Sequence, residues 1–146
     1  MKVAKFGGTS VANGAQIRKV FEIVRSDPER KVVVVSAPGK RFSDDIKTTD
    51  LLIALAEKYL QHGEAKEEFD AVIQRYRDIA EELNLDEAIV EEIEADFQER
   101  LTWDVSPERF VDCIKAGGED NNAKLVARYF QSQGLNAVYV SPKEAG

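Results

Sequence analysis

The spacing of apolar residues changes twice within the first 36 positions, and the change predicts a β-α-β unit. Residues 2–6 form a short apolar run, and residues 31–36 contain four valines in succession. Between them, apolar side chains recur at helical intervals over residues 15–25, which predicts an amphipathic helix. An unbroken β-branched run is typical of a strand that is covered on both faces. The order strand, helix, strand predicts two parallel strands with a right-handed crossover.

The middle of the chain predicts helices. A Thr-Thr-Asp sequence at 48–50 precedes the apolar positions of a helix that continues to about residue 61. Residues 64–83 and 88–101 then each show an apolar stripe at helical spacing, which predicts a helical hairpin over residues 60–102. The many carboxylates of these segments are typical of solvated helix faces, so we expect no metal site there.

The last third of the chain predicts an interrupted helical region. A Ser-Pro pair at 106–107 marks a helix start. The Gly-Gly pair at 117–118 predicts a helix break or a close approach of the backbone. We expect a further helix over 123–133, a strand over 136–140 and a turn over 141–146.

Composition limits the classes of partner. The chain has 146 residues, 43% of them hydrophobic, which fits about one globular domain. Its formal net charge of −7 argues against a nucleic-acid or anionic-membrane partner. No apolar run approaches the roughly 20 residues of a membrane span. Because Cys113 is the single cysteine, it cannot form an internal disulfide, and we expect a cytoplasmic protein.

The strongest functional signal is the heptapeptide Lys-Phe-Gly-Gly-Thr-Ser-Val at residues 5–11. Two glycines after a strand let a phosphate approach the backbone closely. The unpaired N–H groups of a following helix then face the anion. The lysine places a positive charge beside the turn, and the hydroxyl residues are candidates for capping the helix. The phosphate-binding candidates are Lys5, Gly7, Gly8, Thr9 and Ser10.

Two common phosphate motifs are absent from the chain. It contains neither G-x-x-x-x-G-K-[ST], the Walker loop, nor G-x-G-x-x-G, the dinucleotide fingerprint. A Gly-Gly pair alone is typical of an ordinary strand-to-helix turn. The lysine before the glycines and the strand before the lysine make the complete heptapeptide much more specific.

A second candidate group follows the second strand. Ligands of open α/β sheets bind beyond the carboxyl ends of the strands, where both Ser36 and the 5–11 turn fall. Ser36 has two explanations of equal weight, contact with the same ligand or the capping of a turn. The charged segment 40–47 predicts a mobile loop beside this site. Thr48 and Asp50 both fit the N-cap of the next helix.

The heptapeptide at 5–11 resembles the opening signature of aspartokinases, in the amino acid kinase family. The resemblance implies an α/β fold with an open, mostly parallel sheet, flanking helices and the helical hairpin as an insertion. By this resemblance, residues 1–146 are a single partial domain, the amino-acid-binding half. The nucleotide-binding half and the regulatory domains of the family lie downstream of the matching region.

The resemblance also implies a reaction. Aspartokinases transfer a phosphoryl group from ATP, used with Mg²⁺, to the side-chain carboxylate of L-aspartate. The product, 4-phospho-L-aspartate, is the first intermediate towards lysine, threonine and methionine. We therefore expect a full-length homo-oligomeric enzyme whose small-molecule substrates are L-aspartate and ATP, and little or no activity from residues 1–146 alone.

The family's functional residues transfer to matching positions of this sequence. The resemblance makes Lys5 the catalytic residue, and Lys5 with the four residues at 7–10 the phosphate-binding group. The substrate-binding residues are Ser36, Thr49 and Glu119, with Glu119 on the α-ammonium group. Thr48 stays an alternative to Thr49, and Glu119 also fits a carboxylate in the first turn of a helix.

Two other functions fit the same residues. One is a non-catalytic module that holds an anionic metabolite at the Gly-Gly turn. The other is a kinase of the same family with a different acceptor, namely glutamate, carbamate or a nucleotide. The pair Gly118-Glu119 favours an amino-acid acceptor, because its ammonium group needs a carboxylate partner.

Overall fold

The computed structural model describes residues 1–142, and helices occupy most of them. The predicted turn at 141–146 falls largely on residues that lie outside this range. The elements are β1 (Lys2–Phe6), a 3₁₀ turn (Gly8–Val11), α1 (Gly14–Arg25), β2 (Arg30–Val35), α2 (Thr48–His62), α3 (Lys66–Glu82), α4 (Glu87–Leu101) and α5 (Pro107–Ser132).

The predicted β-α-β unit is present. β1 and β2 pair in parallel, with Phe6 opposite Val35 at their carboxyl ends. The α/β class with parallel pairing is therefore confirmed. The cap of α1 differs from the prediction, because Asn13 accepts the hydrogen bond from the Gln16 N–H, and neither Thr9 nor Ser10 serves as the cap.

The sheet is covered on one face only, so the prediction that the valine strand is buried on both faces is wrong for residues 1–142. Val35 is 7% exposed, whereas Val3, Val32 and Val34 are 63%, 40% and 44% exposed. The buried face packs against α1 and α5. The valine run predicted strand correctly, but β-branching alone does not tell how many layers cover a sheet.

Helices α2 to α5 share one apolar core. α2 packs against α3 and α5, and α4 packs against the same two helices. Each fully buried aliphatic or aromatic side chain contributes about 1.5–3 kcal/mol of transfer free energy. Since α3 and α4 share this core with their neighbours, the description of residues 60–102 as an inserted hairpin stays a prediction. Large, fully buried side chains of the core include Leu52, Leu55, Tyr76, Ile93, Phe97, Ile114 and Leu125.

α5 is continuous through Gly117 and Gly118, so the predicted helix break is wrong. Close approach explains the glycines instead. A Cβ atom on Gly118 would lie 2.6 Å from Leu52 Cδ1 and 3.1 Å from Ala37 Cβ. The buried Tyr76 hydroxyl also donates a hydrogen bond to the Gly118 carbonyl, at 2.6 Å. Packing against α2 and the end of β2 therefore requires the absence of a side chain here.

The segment 136–140 forms no strand within residues 1–142, which corrects the sequence prediction. Val138 and Val140 are 76% and 54% exposed. Gln131 donates a side-chain hydrogen bond to the Ala137 carbonyl at 2.8 Å, so α5 holds part of this segment. The alternating pattern gave a strand signal, but β1 and β2 pair only with each other.

The helices of the described region are too short or too polar to cross a membrane.

A Gly118→Ala substitution tests the packing of α5. Alanine is favoured over glycine in a helix interior by about 1 kcal/mol, but overpacking costs about 1–3 kcal/mol. Because Leu52 is fully buried and Ala37 Cβ would also lie 3.1 Å away, we expect overpacking to dominate, with a net loss of about 1 kcal/mol in the free energy of unfolding. Chemical denaturation measures it, with the exposed Arg109→Ala on the same helix as control. A more stable Gly118→Ala protein would contradict this account.

Candidate functional site

The turns after the two strands meet at the carboxyl edge of the sheet. Ser36 N–H donates to the Phe6 carbonyl at 3.1 Å, and Gly39 N–H donates to the Gly8 carbonyl at 2.9 Å. A Cβ atom on Gly39 would lie 2.6 Å from the carbonyl carbon of Gly8. The two turns therefore touch backbone to backbone, and glycine at this crossing is a steric requirement.

A cleft of about 480 Å³ opens beside this crossing. Its walls come from four parts of the chain: Gly8, the segment 36–39 after β2, the start of α2 and one face of α5. The predicted residues Gly8, Ser36, Thr49 and Glu119 all line it. Sequence positions far apart are thus brought into one site.

The α5 wall is a single stripe of the helix. Asp112, Lys115, Ala116 and Glu119 are exposed, line the cleft, and follow one another at helical spacing. Glu119 lies in the middle of α5, so its explanation as a first-turn helix carboxylate is wrong. The stripe therefore presents both negative and positive charge to the cleft.

Ser36 is held in place by α5. Its carbonyl accepts a hydrogen bond from Asn122 Nδ2 at 2.7 Å. Its hydroxyl has no hydrogen-bond partner among residues 1–142, and Ser36 lines the cleft. Asn122 and Asn121, in contrast, are completely buried, and Asn121 bonds to Asp96 and to the Gly117 carbonyl. These two asparagines therefore have a structural role inside the protein. The residues of α5 that line the cleft are Glu119 and the other members of its stripe.

Thr49, and not Thr48, faces the cleft. Thr49 lines its wall, whereas Thr48 is completely buried and donates its N–H to the Pro38 carbonyl at 3.2 Å. The buried Thr48 hydroxyl has no protein partner in the described part of the chain. Lys47 occupies the N-cap position of α2 without a side-chain cap, so the capping roles predicted for Thr48 and Asp50 are wrong.

The rest of the heptapeptide lies next to the cleft but outside its lining. Lys5 is exposed, and its strand position places it on the uncovered face of the sheet, opposite Val34 of β2. A Cβ atom on Gly7 would meet nothing within 4 Å, so its backbone is open to approach. Ser10 already donates its N–H to the Gly7 carbonyl at 3.1 Å, and the Thr9 carbonyl accepts from Gln16.

The loop between β2 and α2, which the sequence predicted to be mobile, is held by a charge network around the buried side chains of Arg75 and Asp45. Arg75 of α3 is 3% exposed and donates to the Ile46 carbonyl at 2.7 Å and to the Gly39 carbonyl. Its guanidinium also lies 3.4 Å from the Asp45 carboxylate. Arg41 donates two side-chain hydrogen bonds to Asp45, at 2.7 and 3.0 Å.

The network favours the ionised form of Asp45. The hydrogen bond from Arg41 holds the pKa of the Asp45 carboxyl far below its usual range, and the charge of Arg75 adds to this against the cost of burial. Burial in turn lowers the pKa of Arg75, with the nearby Arg41 charge as a smaller cause. The ionised Asp45 therefore balances the positive charges of Arg41 and Arg75, so that both guanidinium groups can lie close together at this loop.

Sequence reasoning missed three charged residues of the cleft: Lys47, Lys115 and Asp112. The signal for the last two was their helical spacing from Glu119. The break assumed at 117–118 hid that spacing, because it separated Glu119 from the helix that contains them. Across residues 1–142, no group of three or more His, Cys, Asp or Glu side chains is placed to hold a metal ion.

Comparison with known proteins now decides the family. The sequence profile of the amino acid kinase family matches residues 1–146. The chain belongs to the amino acid kinase family. Among relatives, Aspartokinase 3 of Bacillus subtilis is 58% identical over 147 residues, covering 100% of this chain and 32% of its own length. Lysine-sensitive aspartokinase 3 of Escherichia coli is 41% identical over 63% of this chain and 19% of its own.

Solved structures agree with this kinase-family assignment. Aspartate kinase of Clostridium acetobutylicum matches with a TM-score of 0.76 and 34% identity, over 88% of this chain and 29% of the other. E. coli aspartokinase III in complex with aspartate and ADP matches with a TM-score of 0.66 and 30% identity, over 92% and 29%. The predicted resemblance and fold are confirmed, and the chain spans about a third of the Bacillus relative's length.

The Asp45 network predicts a pH-dependent stability. The pKa of Asp45 is lower in the folded state than its unfolded value of about 3.9, so folding is favoured while the carboxyl is ionised. The contribution is complete above about pH 4 and is lost as the pH falls towards the lower folded-state pKa. In denaturant titrations, the stability difference between the natural protein and Asp45→Asn should shrink below about pH 4. A constant difference from pH 7 to pH 2.5 would disprove the assignment.

Proposed function

We propose that the protein containing this chain is an aspartate kinase, and that residues 1–146 form its amino-acid-binding half. The reaction is transfer of the terminal phosphoryl group of ATP to the side-chain carboxylate of L-aspartate, giving 4-phospho-L-aspartate. The observation that carries the proposal is the cleft, which gathers Ser36, Thr49 and Glu119 beside the Gly8 turn. The identity to aspartokinases across the whole chain supports the choice of acceptor.

The acceptor defines the catalytic problem. A carboxylate is already nucleophilic, so the reaction needs no general base to activate it. The obstacle is repulsion between this anion and the phosphates, and catalysis therefore depends on positioning and charge neutralisation. The backbone crossing at Gly8 and Gly39 contributes the positioning. The lysines in and beside the cleft, Lys5, Lys47 and Lys115, contribute the positive charge.

Recognition of aspartate uses the two sides of the cleft. On the α5 side, the Glu119 carboxylate pairs with the α-ammonium group. Opposite α5, the hydroxyls of Ser36, after β2, and of Thr49, in the first turn of α2, donate hydrogen bonds to substrate carboxylate oxygens. Since the Ser36 hydroxyl has no internal partner in the described residues, its hydrogen bond is available to a ligand.

The phosphates lie at the edge formed by residues 5–10. Lys5 neutralises charge on the transferring group, and backbone N–H groups around Gly7 and Gly8 approach phosphate oxygens where the open Gly7 backbone leaves room. Mg²⁺ accompanies ATP and supplies further charge neutralisation when bound, and we assign no residue among 1–142 as its ligand. Of the four residues at 7–10, Ser10 contributes its hydroxyl, because Gly7 already accepts its N–H.

A coupled ADP-release assay tests the reaction. The complete protein with MgATP should release ADP when L-aspartate is added, and much less with glutamate, carbamate or UMP. Residues 1–146 alone should show little or no turnover. Binding of aspartate without any ADP release would favour a non-catalytic module, and a stronger response to another acceptor would reassign the substrate.

Lys5→Met tests the catalytic lysine. Loss of a single charge-stabilising group costs on the order of 10²–10³ in kcat, and we expect a decrease of at least that size with the fold retained. Lys2→Met is the matched control, because Lys2 is also an exposed lysine of β1 but pairs with Asp27 at 2.6 Å. If Lys5→Met kept a near-normal kcat while Lys2→Met behaved the same way, Lys5 would have no catalytic role.

Glu119→Gln tests acceptor recognition. A hydrogen bond to a charged group contributes about 1.5–3 kcal/mol, so the KM for aspartate should rise about 10- to 150-fold with the KM for ATP unchanged. Glu108→Gln, an exposed residue in the first turn of α5, is the control and should leave both constants unchanged. Equal effects of the two substitutions on steady-state kinetics would rule out contact between Glu119 and the substrate.

A further inference from the structure

We propose that Arg75, which lies outside the cleft, is a positioning residue that holds the acceptor site in register with the phosphate turn. Its kinetic consequences rest on the proposed function, whereas its structural consequence does not. Arg75 acts on the loop between β2 and α2, residues 38–47, whose two ends line the cleft through Pro38, Gly39 and Lys47.

Arg75 grips both ends of the loop from one point. Its two terminal nitrogens donate to the Gly39 carbonyl near the start and to the Ile46 carbonyl near the end. Its Nε has no hydrogen-bond partner in the described residues, so these two contacts and the Asp45 ion pair hold the group. A single rigid side chain of α3 thereby fixes the span of the loop.

Backbone hydrogen bonds connect the residues that Arg75 binds to the candidate site. The Gly39 residue whose carbonyl Arg75 binds donates its own N–H to Gly8 at 2.9 Å. One residue earlier, the Pro38 carbonyl accepts the Thr48 N–H at 3.2 Å, at the start of the helix that presents Thr49. Arg75 is thus one backbone contact from the phosphate turn, and the Pro38–Thr48 hydrogen bond connects its loop to the residue before Thr49.

Burial makes this arrangement costly unless the geometry is satisfied. The side chain of Arg75 is 2% exposed and that of Asp45 is 7% exposed, so both ions are removed from water. A purely apolar residue would fill the same space without that cost. The hydrogen bonds to the Gly39 and Ile46 carbonyls explain why an arginine occupies this position, because an apolar side chain cannot form them.

Arginine and lysine differ in this role. The planar guanidinium presents its donors in a fixed fork and can bind two carbonyls and a carboxylate together. A lysine ammonium keeps the charge beside Asp45 but cannot span the Gly39 and Ile46 carbonyls in the same way. Arg75→Lys therefore separates the loss of the clamp from the loss of the charge.

The experiment compares Arg75→Lys and Arg75→Met in the complete protein with Arg77→Gln. Arg77 is two residues along the same helix, is 30% exposed, and pairs with Glu87 of α4 at 3.2 Å, away from the cleft. At temperatures where every variant is folded, kcat/KM for aspartate should fall roughly 10- to 100-fold in both Arg75 variants, because small misplacements of reacting groups cost this much. The KM for ATP should stay unchanged.

Amide hydrogen exchange gives a readout that needs no enzyme activity. In Arg75→Lys, the Gly39 and Thr48 amides and the peptide 38–47 should exchange faster, while α4 keeps its protection. Loss of protection across α4 as well, with kcat/KM falling only in proportion to the folded fraction, would reduce Arg75 to a stability residue and overturn the proposal.

The outcomes also separate this inference from the proposed function. An unaltered protein without aspartate kinase activity would refute the function, and the exchange of the Gly39 amide would still decide the role of Arg75. An active protein whose Arg75→Lys variant matches Arg77→Gln in both kinetics and exchange would refute the inference alone.

Discussion

The backbone contact between Gly8 and Gly39 governs the geometry of the whole site. It joins the turn after β1 to the turn after β2, where a Cβ atom on Gly39 would lie 2.6 Å from the Gly8 carbonyl carbon and one on Gly8 would lie 3.1 Å from Gly39 Cα. Parallel pairing brings the two strand ends to the same edge, but pairing alone does not bring the turns into contact. The hydrogen bond from Gly39 to Gly8 and the grip of Arg75 on Gly39 complete the connection. The cleft therefore has a wall whose position is set by α3, an element that contributes none of its lining.

The helical core gives the opposite wall its stiffness. α5 runs without a break from Pro107 to Ser132, so Asp112, Lys115 and Glu119 keep fixed spacing along one stripe. Gly118 lets this helix approach α2, and Tyr76 secures the approach by binding the Gly118 carbonyl. Asn122 then ties the same helix to Ser36 at the end of the sheet. A long helix anchored at both the bundle and the sheet keeps the two sides of the substrate site at a constant separation.

Much of this could be predicted from the sequence, and the failures have physical causes. Local periodicity and the 5–11 heptapeptide indicated the β-α-β unit and the position of the site. The Gly-Gly pair at 117–118 misled, because glycine weakens a helix locally while tertiary packing can require it. Arg75 was hidden within a charged helix whose other charges are mostly solvated, and only the fold shows that this one is buried. The segment 136–140 shows the strand pattern, but strand formation needs a neighbouring strand, which periodicity does not supply.

The uncovered face of the sheet has a consequence for handling the protein. The sheet has only two strands in the described region, and its uncovered face carries a solvent-exposed apolar surface formed by Val3, Val32 and Val34. Such surfaces, with unpaired strand edges beside them, promote aggregation between copies. Material limited to these residues would therefore lose solubility as its concentration increases, and added salt would aggravate the loss by screening the repulsion from its net charge of −7.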